Sequence, residues 1–182
     1  MTITFLDNAV NGAIANSTTQ NTESVVPLII DNKSITTGND FEVRNPKFGE
    51  LVAQCVGATV DDAKQAVAAA QAAFPGWSKT TPYDRRDNLT RAADIMASRR
   101  EELIRYQMED TGAGRLFSEK TFEMGVSFLR DVAGRIPSIE GVVPSVSESG
   151  ETALVFKEPY GVILSIVPWY VFYSFKFAGL LN

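Results

Sequence analysis

The interpretation of this chain rests on one stretch near its end, Glu158-Pro159-Tyr160-Gly161-Val162-Ile163-Leu164-Ser165-Ile166-Val167-Pro168-Trp169. Its first four residues favour a turn, because proline presets one backbone angle and glycine accepts conformations that other residues avoid. Residues 162–167 are apolar at nearly every position, which is typical of a parallel strand covered on both faces. The stretch therefore predicts the first strand of a nucleotide-binding sheet, and only residues 170–182 follow it.

The composition is that of an ordinary globular protein. Apolar residues make up 45% and charged residues 21% of the 182 positions, which allows one domain with a sizeable core. The net charge of −5 argues against a nucleic-acid partner, since such proteins normally carry a basic surface. The basic pairs Arg85-Arg86 and Arg99-Arg100 lie among acidic residues on predicted helices, so we interpret them as solvated helix faces.

Residues for metal and redox chemistry are scarce. Histidine is absent and Cys55 is the only cysteine. The chain thus lacks the commonest general base and the clusters that hold zinc or iron–sulfur groups, and we predict no metal site. No Lys or Arg precedes Lys33, and the N-terminus resembles neither a secretory signal nor a transit peptide, so the cytoplasm is the expected location.

The first part of the chain divides into a leader and a β region. Residues 1–24 are rich in Asn, Thr and Ser, and we expect a flexible leader because they bury too little apolar surface to offset the entropy of ordering. Residues 25–58 show strand and turn patterns. The segments concerned are Leu28-Ile29-Ile30, the turn pair Asp31-Asn32, residues 41–44, the turn at Asn45-Pro46, and residues 51–56.

Helices are predicted next. Thr59 begins the first in a capping-box pattern, and Pro75-Gly76 ends it. Thr81-Pro82 begins a second, which continues to about Thr111-Gly112, and a third covers about residues 116–136. The apolar stripes expected to face the core are Val60, Ala63, Val67, Ala70 and Phe74; then Leu89, Ala92, Ala93 and Met96, continued by Leu103, Ile104 and Met108; then Phe117, Met124, Phe128 and Val132.

A loop and a β-prone segment lead into the opening stretch. Residues 141–150 contain Ser, Pro and Gly and predict a loop, and residues 152–157 favour β structure. The predicted order is a small sheet, several helices, and then the first strand of a parallel sheet. This order indicates the α/β class.

Several landmarks in this order resemble the aldehyde dehydrogenase superfamily, in its N-terminal part. The resemblance covers about residues 25–169, and within the family it is most similar to fungal-type enzymes for aromatic aldehydes such as salicylaldehyde. The matching residues are Phe41-Glu42-Val43-Arg44-Asn45-Pro46 with Gly49-Glu50, Ala72-Ala73-Phe74-Pro75-Gly76-Trp77, Arg85-Arg86, Glu109-Asp110-Thr111-Gly112, and Lys157 to Val162 with Ile166-Val167-Pro168-Trp169. The resemblance implies a truncated aldehyde dehydrogenase-like fold that ends with the first strand of a Rossmann-like cofactor domain.

The resemblance also implies a chemistry. Family members oxidise an aldehyde to an acid with NAD or NADP: a cysteine thiolate attacks the carbonyl, hydride passes to the nicotinamide, and a glutamate activates the water that releases the acid. An asparagine after the Pro-Trp pair helps to stabilise the oxyanion, and here that position is Tyr170. We therefore expect residues 170–182 to be a divergent aromatic tail, produced by a frameshift, a retained intron or a wrongly assigned exon.

Ile166, Val167, Pro168 and Trp169 match positions that line the cofactor site in the family. The alternative is plain strand packing, which we favour for this chain alone because no phosphate-binding helix follows a second strand. We therefore expect the fragment to bind no cofactor. The sequence does not distinguish NAD from NADP and does not identify the aldehyde.

Other candidate groups are better explained by structure than by catalysis. Cys55 could be a nucleophile, but it is a small residue in a predicted strand with no histidine to activate it. Gly112-Ala113-Gly114 lies between two helices, so a helix stop is favoured over a phosphate loop. The acidic pairs Asp61-Asp62, Glu101-Glu102 and Glu109-Asp110 are expected on solvated surface, because adjacent helical residues point in different directions. We expect no catalytic residue in this chain.

Two further hypotheses concern partners. Residues 159–182 carry Lys176 as their only charge and are long enough to span a bilayer, but Pro168 falls within them, so a tail anchor is disfavoured. Family members oligomerise partly through the segment that matches residues 151–157, by adding a strand to a neighbouring sheet. The chain could therefore act as a non-catalytic partner of a full-length paralogue.

Overall fold

The computed structural model describes residues 25–167, in which five short strands are followed by four helices and an extended segment. Strands β1 to β5 are Val25–Val26, Leu28–Ile30, Lys33–Ile35, Asp40–Arg44 and Leu51–Val56. Helices α1 to α4 are Val60–Trp77, Pro82–Ser98, Arg100–Thr111 and Arg115–Arg135, and a 3-10 turn follows at Ile136–Ser138. The mixed α/β class is confirmed. The predicted leader at residues 1–24 and the predicted tail at residues 170–182 lie outside the described residues.

The β region forms two small sheets, whereas the turn and strand patterns predict a single small sheet. β5 lies between β1, which is parallel to it, and β4, which is antiparallel. β2 and β3 form a separate hairpin. Its turn residues Asp31 and Asn32 have φ angles of 52° and 59°, which suit the tight turns that join paired strands.

Helix α1 begins as predicted but does not end as predicted. Thr59 and Asp62 form a complete capping box, with the Asp62 amide donating to the Thr59 hydroxyl and the Asp62 carboxylate accepting from the Thr59 amide. The helix continues through Pro75 to Trp77. Pro75 removes the amide that would bond to the Gln71 carbonyl, but the Ser78 amide still closes the last turn on the Phe74 carbonyl at 2.8 Å.

The stripe predicted to bring α1 against the core is largely wrong. Val60 and Val67 are 73% and 58% exposed, Ala63 and Ala70 are exposed as well, and Phe74 is half-buried. The covered side of the helix lies about 100° further round its axis and consists of Asp62, Ala69, Ala73 and Trp77.

The second predicted helix is two helices. It breaks at Arg99, whose φ of −104° and ψ of 24° lie outside the helical range. The Arg99 amide bonds to the Met96 carbonyl, and the Leu103 amide then bonds to the Arg99 carbonyl, so α3 restarts at once. Neither proline nor glycine stands at this point, and the residue pattern therefore gives no sign of the break.

The hydrophobic core lies among α2, α3 and α4. Its buried members are Leu89, Ala93, Met96, Ile104, Phe122, Val126, Leu129, Val132, Ala133 and Ile136. The stripe predicted for α2 is confirmed, since Leu89, Ala93 and Met96 are buried. This cluster is the main source of apolar burial in the described part of the chain.

The stripe predicted for α4 is only partly right: Val132 is buried and Phe128 packs against the core, but the rest of the stripe is rotated about the helix axis. Phe117 is 50% exposed and Met124 is 53% exposed, whereas Phe122 and Leu129 are almost fully buried. The buried side is turned by about 100° from the predicted one. α4 carries large apolar residues on more than one side, and contact with α2 and α3 selects which of them is covered.

Residues 139–167 form an extended segment, which we call the arm. The loop predicted at residues 141–150 is confirmed, and the β-prone residues 152–157 contribute one antiparallel bridge, between Val142 and Val155. The strand predicted at residues 162–167 is not formed, and Leu164 and Ile166 are 83% and 88% exposed. The physical reason is that no other described strand pairs with this segment, so it has no ladder of hydrogen bonds.

Candidate functional site

Two of the four predicted cofactor-lining residues fall within the described structure. Ile166 is 88% exposed and Val167 is half-buried, and both lie in the extended arm. Pro168 and Trp169 lie outside the described residues, as does Tyr170. The expectation that residues 162–167 are packed as strand core is wrong for the described structure, because their apolar side chains are largely uncovered.

Cys55 lies in β5, between Val26 of β1 and Phe41 of β4. Partial burial raises the pKa of its thiol above the ordinary value, and the nearby negative charge of Asp110 raises this pKa further. A catalytic thiol needs the opposite shift, because the thiolate is the nucleophile. The environment of Cys55 therefore supports the structural interpretation of this residue.

The glycines after α3 form a helix stop, as the sequence predicts. Gly112 ends α3 in the left-handed conformation, with a φ of 67°, and its amide bonds to the Met108 carbonyl at 3.0 Å. Gly114 then precedes α4, without a side-chain cap. No strand leads into this turn, so it lacks the strand–glycine–helix order of a dinucleotide-binding loop.

The turn that contains Asn45-Pro46 is closely tied to that helix stop. The Asn45 side-chain oxygen accepts hydrogen bonds from the backbone amides of Lys47 and Phe48 at 2.9 and 3.2 Å. The Asn45 backbone amide donates to the Glu50 carbonyl. The turn presents Pro46 to Gly112, where a Cβ atom would come within 3.0 Å of the Pro46 Cγ. Asn45 is buried, so the turn is a built part of the fold rather than a free loop.

A groove of about 790 Å³ opens beside this contact. Sequence analysis did not identify it, because its walls come from the β4–β5 turn, from α3 and from the turn before α4. Its lining residues are Asn45, Lys47, Phe48, Glu101, Glu102, Arg105, Met108, Glu109, Gly112, Ala113, Gly114 and Arg115. The only sequence signal that could have located it is the pair of turn motifs, Asn45-Pro46 and Thr111-Gly112.

Two carboxylates of the groove, Glu101 and Glu102, are held in their charged form. Hydrogen bonds from Arg115 and Arg100 lower the pKa of Glu101, and a bidentate contact from Arg99 lowers the pKa of Glu102. A general acid or base that acts near neutral pH needs a pKa shifted the other way. These groups are therefore ion-pair partners rather than catalytic acids.

The ion pairs connect α3 to α4. Arg100 contacts Glu101, Glu119 and Glu123, and Arg115 contacts Glu101 and Glu119. Most of these side chains are at least one-third exposed, so each pair contributes little on its own. Their role is to hold the first turns of the two helices together.

The acidic pairs predicted on solvated surface are only partly exposed. Asp61, which pairs with Lys64, and Glu101 are exposed, whereas Glu102, Glu109 and Asp110 are half-buried. Asp62 is buried at the start of α1, where it caps the helix. Among residues 25–167, no group of three or more Cys, Asp or Glu side chains is arranged to hold a metal ion.

Membrane spanning was the rival interpretation of the final residues. Within the described range, none of the helices is both long and apolar enough to cross a bilayer. Residues 159–167 of the predicted span are not helical, and its remaining residues lie outside the description.

Comparison with known proteins identifies the family. The model of the aldehyde dehydrogenase family matches residues 33–172, and this chain belongs to that family. Vanillin dehydrogenase of Pseudomonas sp. (strain HR199 / DSM 7063) is 37% identical over 146 residues, which are 79% of this chain and 30% of that protein. The chain thus spans less than a third of the length of this curated relative.

Solved structures show the same correspondence. Salicylaldehyde dehydrogenase from Pseudomonas putida G7, complexed with salicylaldehyde, is 28% identical and superposes with a TM-score of 0.80, over 86% of this chain and 34% of that one. PnpE in complex with nicotinamide adenine dinucleotide is 29% identical with a TM-score of 0.67, over 71% and 27% of the two chains. The predicted resemblance to the family is confirmed, and its fungal detail stays a prediction.

Proposed function

We propose that this chain forms the N-terminal part of an enzyme that oxidises aromatic aldehydes to carboxylic acids with NAD or NADP. The observation that carries the proposal is the match to the aldehyde dehydrogenase family over residues 33–172, together with 37% identity to a vanillin dehydrogenase. The names of the relatives, vanillin and salicylaldehyde dehydrogenases, support an aromatic substrate. A cytoplasmic location belongs to the same proposal, and cell fractionation tests it.

We also propose that the chain in its present sequence does not catalyse this reaction. Its only cysteine is Cys55, whose thiol pKa is raised, and the groove carboxylates Glu101 and Glu102 are held ionised by arginines. None of these groups is an activated nucleophile or a general base. The purified chain is therefore expected to form no NAD(P)H from vanillin or salicylaldehyde above the background without protein, and turnover that depends on the chain would overturn the proposal.

The family role is tested in a chimera. Residues 25–167 replace the matching segment of the Pseudomonas vanillin dehydrogenase, whose remaining residues stay unchanged. We expect the chimera to oxidise vanillin, because the matched segments are 37% identical and this segment superposes on that of a salicylaldehyde dehydrogenase of the same family. A chimera that melts cooperatively but does not oxidise vanillin would contradict the proposal.

Of the four residues predicted to line the cofactor site, Ile166, Val167, Pro168 and Trp169, the chimera contains the first two and tests their role. Ile166→Glu is expected to raise the KM for NAD(P)⁺ more than the KM for the aldehyde, because a charge would enter an apolar cofactor wall. Leu154→Glu is a control, since Leu154 lies in the arm and is 60% exposed. Equal effects of the two changes on both KM values would count against a cofactor role.

A second candidate function is a non-catalytic subunit that pairs with an intact family member. The bridge between Val142 and Val155 is the observation that favours it, because the adjoining Val143, Leu154 and Phe156 are at least 60% exposed. Gly141 approaches the Val155 carbonyl so closely that a Cβ would clash, so Gly141→Ala should disrupt the bridge. Co-purification with the intact vanillin dehydrogenase that is lost in Gly141→Ala but kept in Gly134→Ala would support strand addition, and no co-purification would exclude it.

A further inference from the structure

The tip of the arm is an exposed stretch of chain, residues 141–150, every one of which is exposed. Backbone hydrogen bonds between Val142 and Val155, at 2.9 and 3.0 Å, hold the base of this stretch. The backbone of residues 143–147 makes no hydrogen bond with the described residues. Its amides and carbonyls can therefore pair with another molecule while the chain lies extended.

Ser145 stands in this stretch within an acidic part of the sequence. Residues 136–156 contain glutamates but neither Lys nor Arg. Among their serines and threonines, only Ser145 has a carboxylate three positions later, at Glu148. Three extended residues span about 10 Å, so this carboxylate lies clear of a cleft that holds the serine hydroxyl. Such a charge pattern fits a kinase whose peptide-binding cleft is basic.

Ser98 is a matched comparison within the same chain. It also has a glutamate three positions later, Glu101, and it is exposed. Ser98 ends α2, however, and its hydroxyl donates to the Ile95 carbonyl at 2.8 Å. Two arginines separate it from Glu101, whose carboxylate is already paired with arginine side chains. Only Ser145 combines the spacing with an extended backbone and an uncompensated acidic charge.

We propose that Ser145 is phosphorylated by a serine kinase that selects acidic substrates, with Mg·ATP as the phosphoryl donor. The Ser145 hydroxyl oxygen forms a bond to the γ-phosphorus of ATP, the bond from that phosphorus to the β,γ-bridging oxygen breaks, and ADP leaves. The hydroxyl proton passes to the catalytic aspartate of the kinase. The kinase recognises the extended backbone and the Glu148 carboxylate.

The phosphate should change how the arm pairs with other strands. It carries about −1.5 to −2 charges at neutral pH, and residues 136–156 contain no cation to pair with it. Its charge adds to that of Glu148 beside the bridge of Val142 and Val155 and opposes the approach of another sheet. Phosphorylation should therefore weaken strand addition. This consequence rests on the second candidate function, whereas the modification of Ser145 does not.

The test uses the whole chain, a serine kinase that selects acidic substrates, and Mg·ATP, with mass spectrometry of tryptic peptides to locate the phosphate. We expect phosphate on the peptide of residues 136–157 and its loss in Ser145→Ala. Glu148→Gln should slow incorporation at least about tenfold, because it removes the charge that the kinase binds. Glu140→Gln is the matched control, since it removes the same charge on the other side of Ser145 and should leave the rate unchanged.

Several results would overturn the proposal. They are no incorporation into the unchanged chain, equal incorporation into Ser145→Ala, and equal rates for Glu148→Gln and Glu140→Gln. Equal modification of Ser98 would also overturn it, because the extended backbone and the acidic surroundings would then not be selected. Far-UV circular dichroism should show that all variants keep their helices, since the substituted residues are exposed.

Co-purification with the intact vanillin dehydrogenase separates the site from its consequence. Retention of the phosphorylated chain should be lower than retention of the unmodified chain. Equal retention would show that the phosphate does not oppose strand addition. If the unmodified chain is not retained while Ser145 is still phosphorylated, the second candidate function fails and the phosphorylation site stands.

Discussion

Gly112 lies against Pro46, with the position of a Cβ at Gly112 only 3.0 Å from the Pro46 Cγ. Residue 112 ends α3 and residue 46 lies in the β4–β5 turn, so this contact joins the helical layer to the sheet. The φ of 67° at Gly112 also lies where side chains are strained. Two separate physical requirements therefore call for glycine at this position.

Gly112→Ala is expected to lower the free energy of unfolding by at least about 1–2 kcal/mol, the cost of a left-handed alanine, with the contact to Pro46 adding to it. Gly134→Ala is the control, because Gly134 lies exposed within α4 with nothing near its Cβ position. That change should stabilise the protein by up to about 1 kcal/mol. Urea unfolding measures the free energy of unfolding of both variants. Similar changes in the two variants would show that the backbone at Gly112 is not constrained.

Acid should weaken α1 and α2 through their capping carboxylates. Hydrogen bonds from Thr59 and Thr81 lower the pKa values of Asp62 and Asp84 below the ordinary value. A carboxyl with a lowered folded-state pKa stabilises the fold above its unfolded pKa, and this contribution is lost as the pH falls through the folded pKa. The urea concentration at the midpoint of unfolding should therefore fall between about pH 7 and about pH 3. This fall should be smaller in the double variant Asp62→Asn, Asp84→Asn than in the unchanged protein. An unchanged pH dependence in that variant would contradict this origin.

Replacing leucine by alanine at two positions tests which side of α4 is buried. Leu129 is fully buried, and Leu129→Ala is expected to cost about 2–5 kcal/mol of unfolding free energy through lost contact and a cavity. Leu116 is 67% exposed, and Leu116→Ala should change stability by about 0.5 kcal/mol or less. Thermal or urea unfolding checks both. A larger cost at Leu116 would mean that the side of α4 assigned to the core is wrong.

A buried polar contact between α3 and α4 is incompletely satisfied. The Thr121 hydroxyl lies 3.0 Å from the Gln107 side-chain oxygen, and the Gln107 Nε2 has no partner although the residue is fully buried. Gln107→Met removes the unpaired donor and leaves Thr121 its backbone acceptors at Phe117 and Ser118, so stability should stay equal or rise. Thr121→Val should instead cost about 1–3 kcal/mol by leaving both ends of the amide unpaired. If urea unfolding shows that Gln107→Met lowers stability more than Thr121→Val does, then the Gln107 side-chain amide already has its hydrogen-bond partners.

Cys55 should react slowly with thiol reagents. Burial raises its pKa, and Asp110 raises it further, so the midpoint of alkylation by iodoacetamide should lie at higher pH than for free cysteine. Asp110→Asn should move that midpoint downward, and Asp61→Asn, on the exposed first turn of α1, should not. A midpoint below that of free cysteine would revive the interpretation of Cys55 as a nucleophile.

Sequence analysis identified the family and some structural elements but missed the groove. The family was recognised from turn and strand motifs, but the groove beside Gly112 was missed because it joins residues 45–48 to α3 across more than fifty positions of sequence. The strand at residues 162–167 was predicted from its apolar run, yet a parallel strand exists only beside a neighbour. The described chain supplies none, and the segment is extended and exposed.

The sequence by itself determined the features that depend on neighbouring residues. The capping boxes at Thr59 and Thr81, the turn at Asp31-Asn32 and the helix stop at Gly112 each follow from hydrogen bonds or backbone angles within a few positions. Only the tertiary structure decided which sides of α1 and α4 are covered. Both helices carry apolar residues on more than one side, and the rotation of a helix is set by the surfaces that pack against it, which lie far away in sequence.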